Sequence, residues 1–203
     1  LYVGNAFRLT GLSVHATERE LSRHIQKIEM AERLGTRTAS VPGPLGVSPP
    51  DVEATKAAVQ RTQEVERRLL DEFFWLWPLP EHAVEERRGQ LPLPSSHEQL
   101  VDSIAAWKRA ASQNLDHGLC AHNLAVLGHL QALDLELRQR TAPLSVDECA
   151  TRDGLWVAAF AQWREALDTP TLWEELAERI ESLADPRLDR AVMVRLRRGL
   201  PMA

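Results

Sequence analysis

The sequence has few cysteines and no long apolar stretch, and both absences narrow the class of protein. Only Cys120 and Cys149 occur among 203 residues. Two cysteines are too few for a disulfide framework, so we expect a reducing, cytoplasmic location. No run of about 18 apolar residues is present, and we therefore predict no membrane partner.

Lysine is also scarce, because only three of the 24 basic residues are lysine. We interpret this arginine bias as the mark of a GC-rich, bacterial coding sequence rather than of a phosphate site. The formal net charge of −5 lacks the basic excess that is typical of general nucleic-acid binders. We therefore predict no nucleic-acid partner.

Catalytic motifs are missing as well. The sequence contains no G-x-S-x-G, P-loop or H-E-x-x-H pattern. Its carboxylates, as in "LDEF", "WEEL" and "DLELR", are not paired in a way that hydrolysis requires. We predict neither an enzyme nor a cofactor.

Helix signals are abundant, whereas no stretch alternates polar and apolar residues long enough to form a convincing strand. Thr17 and Glu20 form a capping-box pattern. An apolar stripe with helical spacing follows this pattern, and Gly35 then marks the end of the predicted helix. The stripe consists of Leu21, Ile25 and Ile28. The capping pattern recurs at Ser95–Glu98 and Ser145–Glu148. The sequence predicts an all-α protein.

Two segments rich in proline divide this pattern, at Gly35–Pro50 and at Pro78–Ser96. We take the second as the better boundary. The predicted organisation is a helical hairpin over residues 1–78, a connector over 79–95 and a helical array over 96–203.

The C-terminal array shows a faint internal repeat. Ser103–Ala111 and Ala158–Leu167 both read A-x-W-[KR]-x-A, which places Trp107 and Trp163 in register. We expect the second copy to pack against the following helix, and a long amphipathic helix beginning near Leu115 to lie between the copies. The pattern resembles tetratricopeptide-type repeats, and a plain helical bundle fits it equally well.

The N-terminal third resembles a J domain, the co-chaperone module that stimulates the seventy-kilodalton heat-shock ATPases. The resemblance rests on "FRLTGL" before a short bend, on the helix entry at Ala16–Glu20, and on Ala57–Glu72 as the third J helix. It implies a J-like hairpin packed on the array. J domains carry His-Pro-Asp after the second helix, but Arg33–Gly35 stands there, so the resemblance implies a docking surface without ATPase stimulation.

Arg19, Arg23 and Lys27 are four residues apart and share one face of the second predicted helix. In J domains the matching face meets an acidic surface of the chaperone. We predict that these three residues bind a partner protein. The alternative is that these residues form a solvated helix face that binds no partner.

"FFWLWP", Phe73–Pro78, concentrates aromatic residues in a short stretch. We predict that it forms the seam between hairpin and array, the alternative being an exposed recognition patch. We also expect most of the tryptophan surface of the array to be buried, at Trp107, Trp156, Trp163 and Trp173.

One region suggests a metal site, because His117, Cys120 and His122 lie close in sequence, with Cys149 as a further ligand. These residues lack the paired spacing of structural zinc sites. The competing interpretation is a buried cysteine, with His122 and Asn123 hydrogen-bonded between helices, and we predict no bound metal.

These observations favour an adaptor module that binds another protein. The partner would be a heat-shock chaperone or the rest of a larger polypeptide or complex, which the start at Leu1 also suggests. The alternative function is a helical enzyme or metal protein that uses the region of His117, Cys120 and His122.

Overall fold

The computed structural model describes residues 2–35, 52–78, 97–113 and 117–183. Over these ranges the chain is helical, with no strand, as the sequence predicts. The helices are α1 Ala6–Thr10, α2 Glu18–Arg33, α3 Val52–Arg61, α4 Val65–Phe73, α5 His97–Ser112, α6 His117–Gln139, α7 Val146–Asp168 and α8 Pro170–Leu183. None of the helices in the described ranges is both long and apolar enough to cross a membrane.

The short first helix has a cap at each end. The Asn5 side chain accepts hydrogen bonds from the backbone N–H groups of Phe7 and Arg8. Gly11 ends the helix with a φ of 66°, a conformation that favours glycine.

Helix α2 begins with the predicted capping box. The Thr17 side chain accepts from the Glu20 N–H, and the Glu20 carboxylate accepts from the Thr17 N–H. The helix ends at Arg33, followed by Gly35 with a φ of 63°. The equivalent box at Ser145 and Glu148 starts α7.

The single helix expected over Ala57–Glu72 is wrong, because the chain breaks between α3 and α4. Backbone hydrogen bonds of the i to i−3 type at residues 62–64 tighten the turn there. Ala58 in α3 packs with residues of α1, whereas Leu69 and Phe73 in α4 belong to the main core. The two helices thus contribute to separate clusters.

Helix α6 lies at the centre of the main core. Its residues 118–123 are all buried, so this part of the helix is covered on every side. The predicted start near Leu115 lies outside the described residues, and the prediction of an amphipathic helix is wrong for residues 118–123. A helix that is apolar all round is expected to be buried.

Helix α7 packs along α6 for most of its length, and α8 contacts both helices. The helix of the second Trp copy, expected to pack against the following helix, does contact α8 but packs mainly against α6. A Cβ atom at Gly128 would lie 3.4 Å from the Ala159 side chain, so the small residues let α6 and α7 approach closely. Trp107 and Trp173 are buried, whereas Trp156 and Trp163 are only partly buried.

The aromatic stretch 73–77 is buried between the N-terminal helices and α6, which confirms the predicted seam. Phe73 stacks on Trp163, with ring centroids 5.6 Å apart. The backbone of Trp77 makes two hydrogen bonds to the Asn123 side chain. The loop at 36–50, the connector 79–95 and the Ser95 cap lie outside the described residues.

Candidate functional site

The predicted basic face lies on α2 and is open to solvent. Arg19, Arg23 and Lys27 are all exposed, whereas Leu21 is buried and Ile25 and Ile28 are partly buried. The helical period separates the two sets, because residues four apart share a face. The three cations are therefore free to meet another molecule while the stripe packs inward.

A cleft of about 400 Å³ lies between α2 and the turn that precedes it. This volume falls within the range of ligand sites in proteins. The residues that line the cleft are Leu12, Ser13, His15, Ala16, Glu20, Arg23, His24 and Lys27. The structure thus brings Arg23 and Lys27 together with two histidines that the sequence did not single out, and Arg19 lies outside the lining.

The fixed positive charges of the cleft come from Arg23 and Lys27. Desolvation lowers the pKa of His24 below its ordinary value, and the ammonium of Lys27 lowers it further. Desolvation and the Arg179 guanidinium lower the pKa of His15 in the same way. Both imidazoles are therefore largely neutral at pH 7 and gain charge only in acid.

Glu20 is the one carboxylate in the cleft lining. Its carboxylate accepts hydrogen bonds from the Thr17 N–H and hydroxyl, at 2.7 and 2.8 Å, and these bonds lower its pKa. It is therefore ionised and held at the helix N-terminus, where negative charge is favourable. Two cations against one engaged anion leave the cleft with a net positive charge.

Two arginines, the buried Arg68 and the partly buried Arg179, hold the turn that forms one wall of this cleft. Arg68 in α4 donates to the Ala16 carbonyl, and Arg179 in α8 donates to the Val14 carbonyl at 3.2 Å. Both guanidiniums also bind the Glu72 carboxylate, which is fully buried. This arrangement fixes the wall to the core. Of its contacts, local sequence spacing predicts the Arg68–Glu72 pair, four residues apart, but not the bonds of Arg179.

The residues of the proposed metal region have separate structural contacts. The His117 Nε2 atom lies 2.6 Å from a Glu165 carboxylate oxygen, Cys120 is buried, and His122 Nε2 donates to the Phe73 carbonyl at 2.6 Å. Across ranges 2–35, 52–78, 97–113 and 117–183, no three His, Cys, Asp or Glu residues are grouped to hold a metal ion. The predicted hydrogen bonding between helices is confirmed for His122, which contacts α4, whereas Asn123 bonds to Trp77 outside any helix.

Arg33, Leu34 and Gly35 lie exposed at the end of α2, on the helix that carries the basic face. The Leu34 and Gly35 N–H groups donate to Met30 and Glu32 carbonyls and complete the last helical turn. This tripeptide thus acts as a helix stop.

No family model, curated protein or solved structure matches the chain.

Proposed function

We propose that this chain is an adaptor module that docks an acidic segment of another protein. The docking surface is the cleft together with the exposed face formed by Arg19, Arg23 and Lys27. The observation that carries the proposal is that two of these cations line one cleft with His15 and His24. A flexible acidic segment fits this surface because its carboxylates would pair with cations that the fold leaves open.

The J-domain resemblance suggests the kind of partner. In that family a basic face on the second helix meets an acidic surface of a heat-shock chaperone, and α2 carries such a face. Arg33, Leu34 and Gly35 occupy the place of His-Pro-Asp, so the proposed role is docking without ATPase stimulation. The alternative partner is the rest of a larger polypeptide or complex.

Electrostatic docking of this kind predicts a specific dependence on salt. Exposed charges act mainly on the association rate, and salt screens them over about 8 Å at physiological ionic strength. Affinity for an acidic ligand should therefore be high at low salt and fall steeply as salt is added. The two cleft histidines add a second dependence, because their protonation below their lowered pKa values strengthens binding in acid.

The test measures fluorescence anisotropy with a labelled oligoglutamate peptide, at low salt and at about 0.3 M salt. The triple variant R19E, R23E and K27E should lose most of the low-salt binding and keep the melting temperature of the wild type. The matched control reverses three exposed cations elsewhere, K108E, R109E and R140E. Equal loss in both triple variants would reduce the effect to net charge and reject this surface.

A further inference from the structure

The outer side of α7 carries an exposed apolar stripe, on the side opposite to its contact with α6. Val146, Val157 and Phe160 are 84%, 71% and 63% exposed. Ala150, Gly154 and Ala161 are exposed beside them. These residues recur three or four positions apart, so they form one continuous line on the helix.

Exposed apolar side chains lie close together in this stripe, whereas the rest of the described chain mostly buries its apolar side chains. Eight large hydrophobic residues are exposed in the described ranges, and three of them lie on this line. Scattered apolar residues are ordinary on a surface, whereas a grouped set marks an interaction site. A helix that is apolar on both sides is expected to be covered on both sides.

Two charges flank the stripe and define how it could be covered. Asp153 lies four residues before Val157, and Arg164 lies seven residues after it, on the same flank of the helix. The Asp153 carboxylate accepts two bonds from Arg152, both at Oδ1. The bonds from Arg152 therefore leave the other carboxylate oxygen of Asp153, Oδ2, unused. Arg164 forms no ion pair with any residue of the described ranges.

An antiparallel second α7 satisfies this pattern. If two copies cross at Val157, Arg164 of one copy lies opposite residue 150 of the other, three residues from Asp153. Three residues are about 4.5 Å along a helix, which is within reach of a guanidinium. On the other flank Ala161 lies opposite residue 153 and thus one residue from Gly154, where no atom lies within 4 Å of an added Cβ position.

We propose that a second copy of this chain docks antiparallel on the α7 stripe. A two-fold axis at Val157 makes both Arg164–Asp153 contacts at once, as an isologous interface requires. In a parallel arrangement Arg164 and Asp153 of the two copies would lie eleven residues apart along the helix, about 16 Å, so these contacts would not form. A single helix face is a small interface, so the dimer should dissociate on dilution.

The first experiment uses oxidative crosslinking in a Cys149→Ser background. Val157→Cys should form a disulfide-linked dimer, because this residue meets its own copy at the axis. Leu34→Cys is the matched control, since Leu34 is 68% exposed and lies directly after α2, away from α7 in the chain. Equal crosslinking of both variants would indicate random collision and would overturn the proposal.

The second experiment is sedimentation over a range of protein concentrations. Val157→Glu should raise the dimer dissociation constant by about tenfold or more, because it places unpaired charges at the axis, while Leu34→Glu should leave it unchanged. Arg164→Asp and Asp153→Arg should each weaken the dimer, and the double variant should restore it. A wild type that stays monomeric at every concentration overturns the proposal. A monomeric wild type with a Val157→Glu variant of lower melting temperature would assign the stripe to the chain's own residues instead.

Discussion

Arg179 in α8 binds both carboxylate oxygens of Glu72 in α4, across 107 positions of sequence. Its Nε atom donates to Oε2 and its Nη2 atom to Oε1, each at 2.8 Å. Arg68 donates to the same carboxylate at 2.7 Å. Glu72 is thus a buried anion between two cations, and it connects the N-terminal helices to the last described helix.

We predict that Glu72→Gln lowers the free energy of unfolding by about 3–5 kcal/mol. The substitution keeps the shape but leaves the buried Arg68 guanidinium and the partly buried Arg179 guanidinium without their counter-charge. Urea denaturation measures the loss. The control is Glu53→Gln, which breaks the exposed pair with Lys56 and should cost less than about 1 kcal/mol. Equal losses in the two variants would contradict this account of the buried carboxylate.

Trp163 is expected to contribute strongly to stability although it is only partly buried. Its ring stacks on Phe73, and its Nε1–H donates to His129 at 3.3 Å. Trp163→Ala should cost about 3 kcal/mol, as large-to-small core changes do. Leu34→Ala, at an exposed position, should change stability by less than about 0.5 kcal/mol. Chemical denaturation compares the two, and a loss below about 1 kcal/mol for Trp163→Ala would show that the stacking matters little.

Stability should fall in mild acid because of His122. Complete burial lowers its pKa to about 4 in the folded protein, against an ordinary value of 6.5. The unfolded chain therefore takes up the proton first, so the free energy of unfolding declines as the pH falls from about 6.5 to about 4. The full decline is about 3 kcal/mol.

The measurement is the slope of stability against pH for the wild type and for His122→Gln, which does not titrate. The variant should have a flatter slope, whatever its absolute stability. His15 and His24 also have lowered pKa values and supply a residual slope of the same sign. Identical slopes in the two proteins would show that His122 does not control the acid response.

This chain should not accelerate ATP turnover by a heat-shock ATPase. Arg33, Leu34 and Gly35 end α2 where a J domain carries His-Pro-Asp, and they supply neither the imidazole nor the carboxylate of that tripeptide. Single-turnover hydrolysis with and without the chain is the measurement, with an authentic J domain as the positive control. Clear stimulation would show that another surface performs this step.

Sequence predicted best what depends on neighbouring residues. The caps at Thr17 and Ser145 are made by side chains that lie three positions from their partners, so the sequence alone is sufficient to predict these interactions. The burial of the aromatic stretch that begins at Phe73 is also predictable from the sequence, because so large an apolar surface is stable mainly in the core. The basic face of α2 follows from helical spacing in the same way.

The sequence did not predict the features that depend on contacts between elements distant in the chain. The break at 62–64 has no glycine or proline to mark it, and α3 and α4 on either side of it pack into different clusters. The cleft also joins His15, before α2, to His24 within it, and only the fold of the turn brings them together. The contact of Arg179 with Glu72 had no signal at all, since each residue alone is typical of a solvated helix.

The Asn123 side chain has a further consequence for the non-helical residues that follow α4. Its Oδ1 atom accepts from the Trp77 N–H at 2.8 Å, and its Nδ2 donates to the Trp77 carbonyl at 2.7 Å, both buried. An amide outside regular structure usually exchanges with deuterium quickly, whereas this one is released only when α6 separates from residues 73–77. The Trp77 amide should therefore exchange as slowly as the core of α6, and its exchange rate reports directly on the opening of the seam.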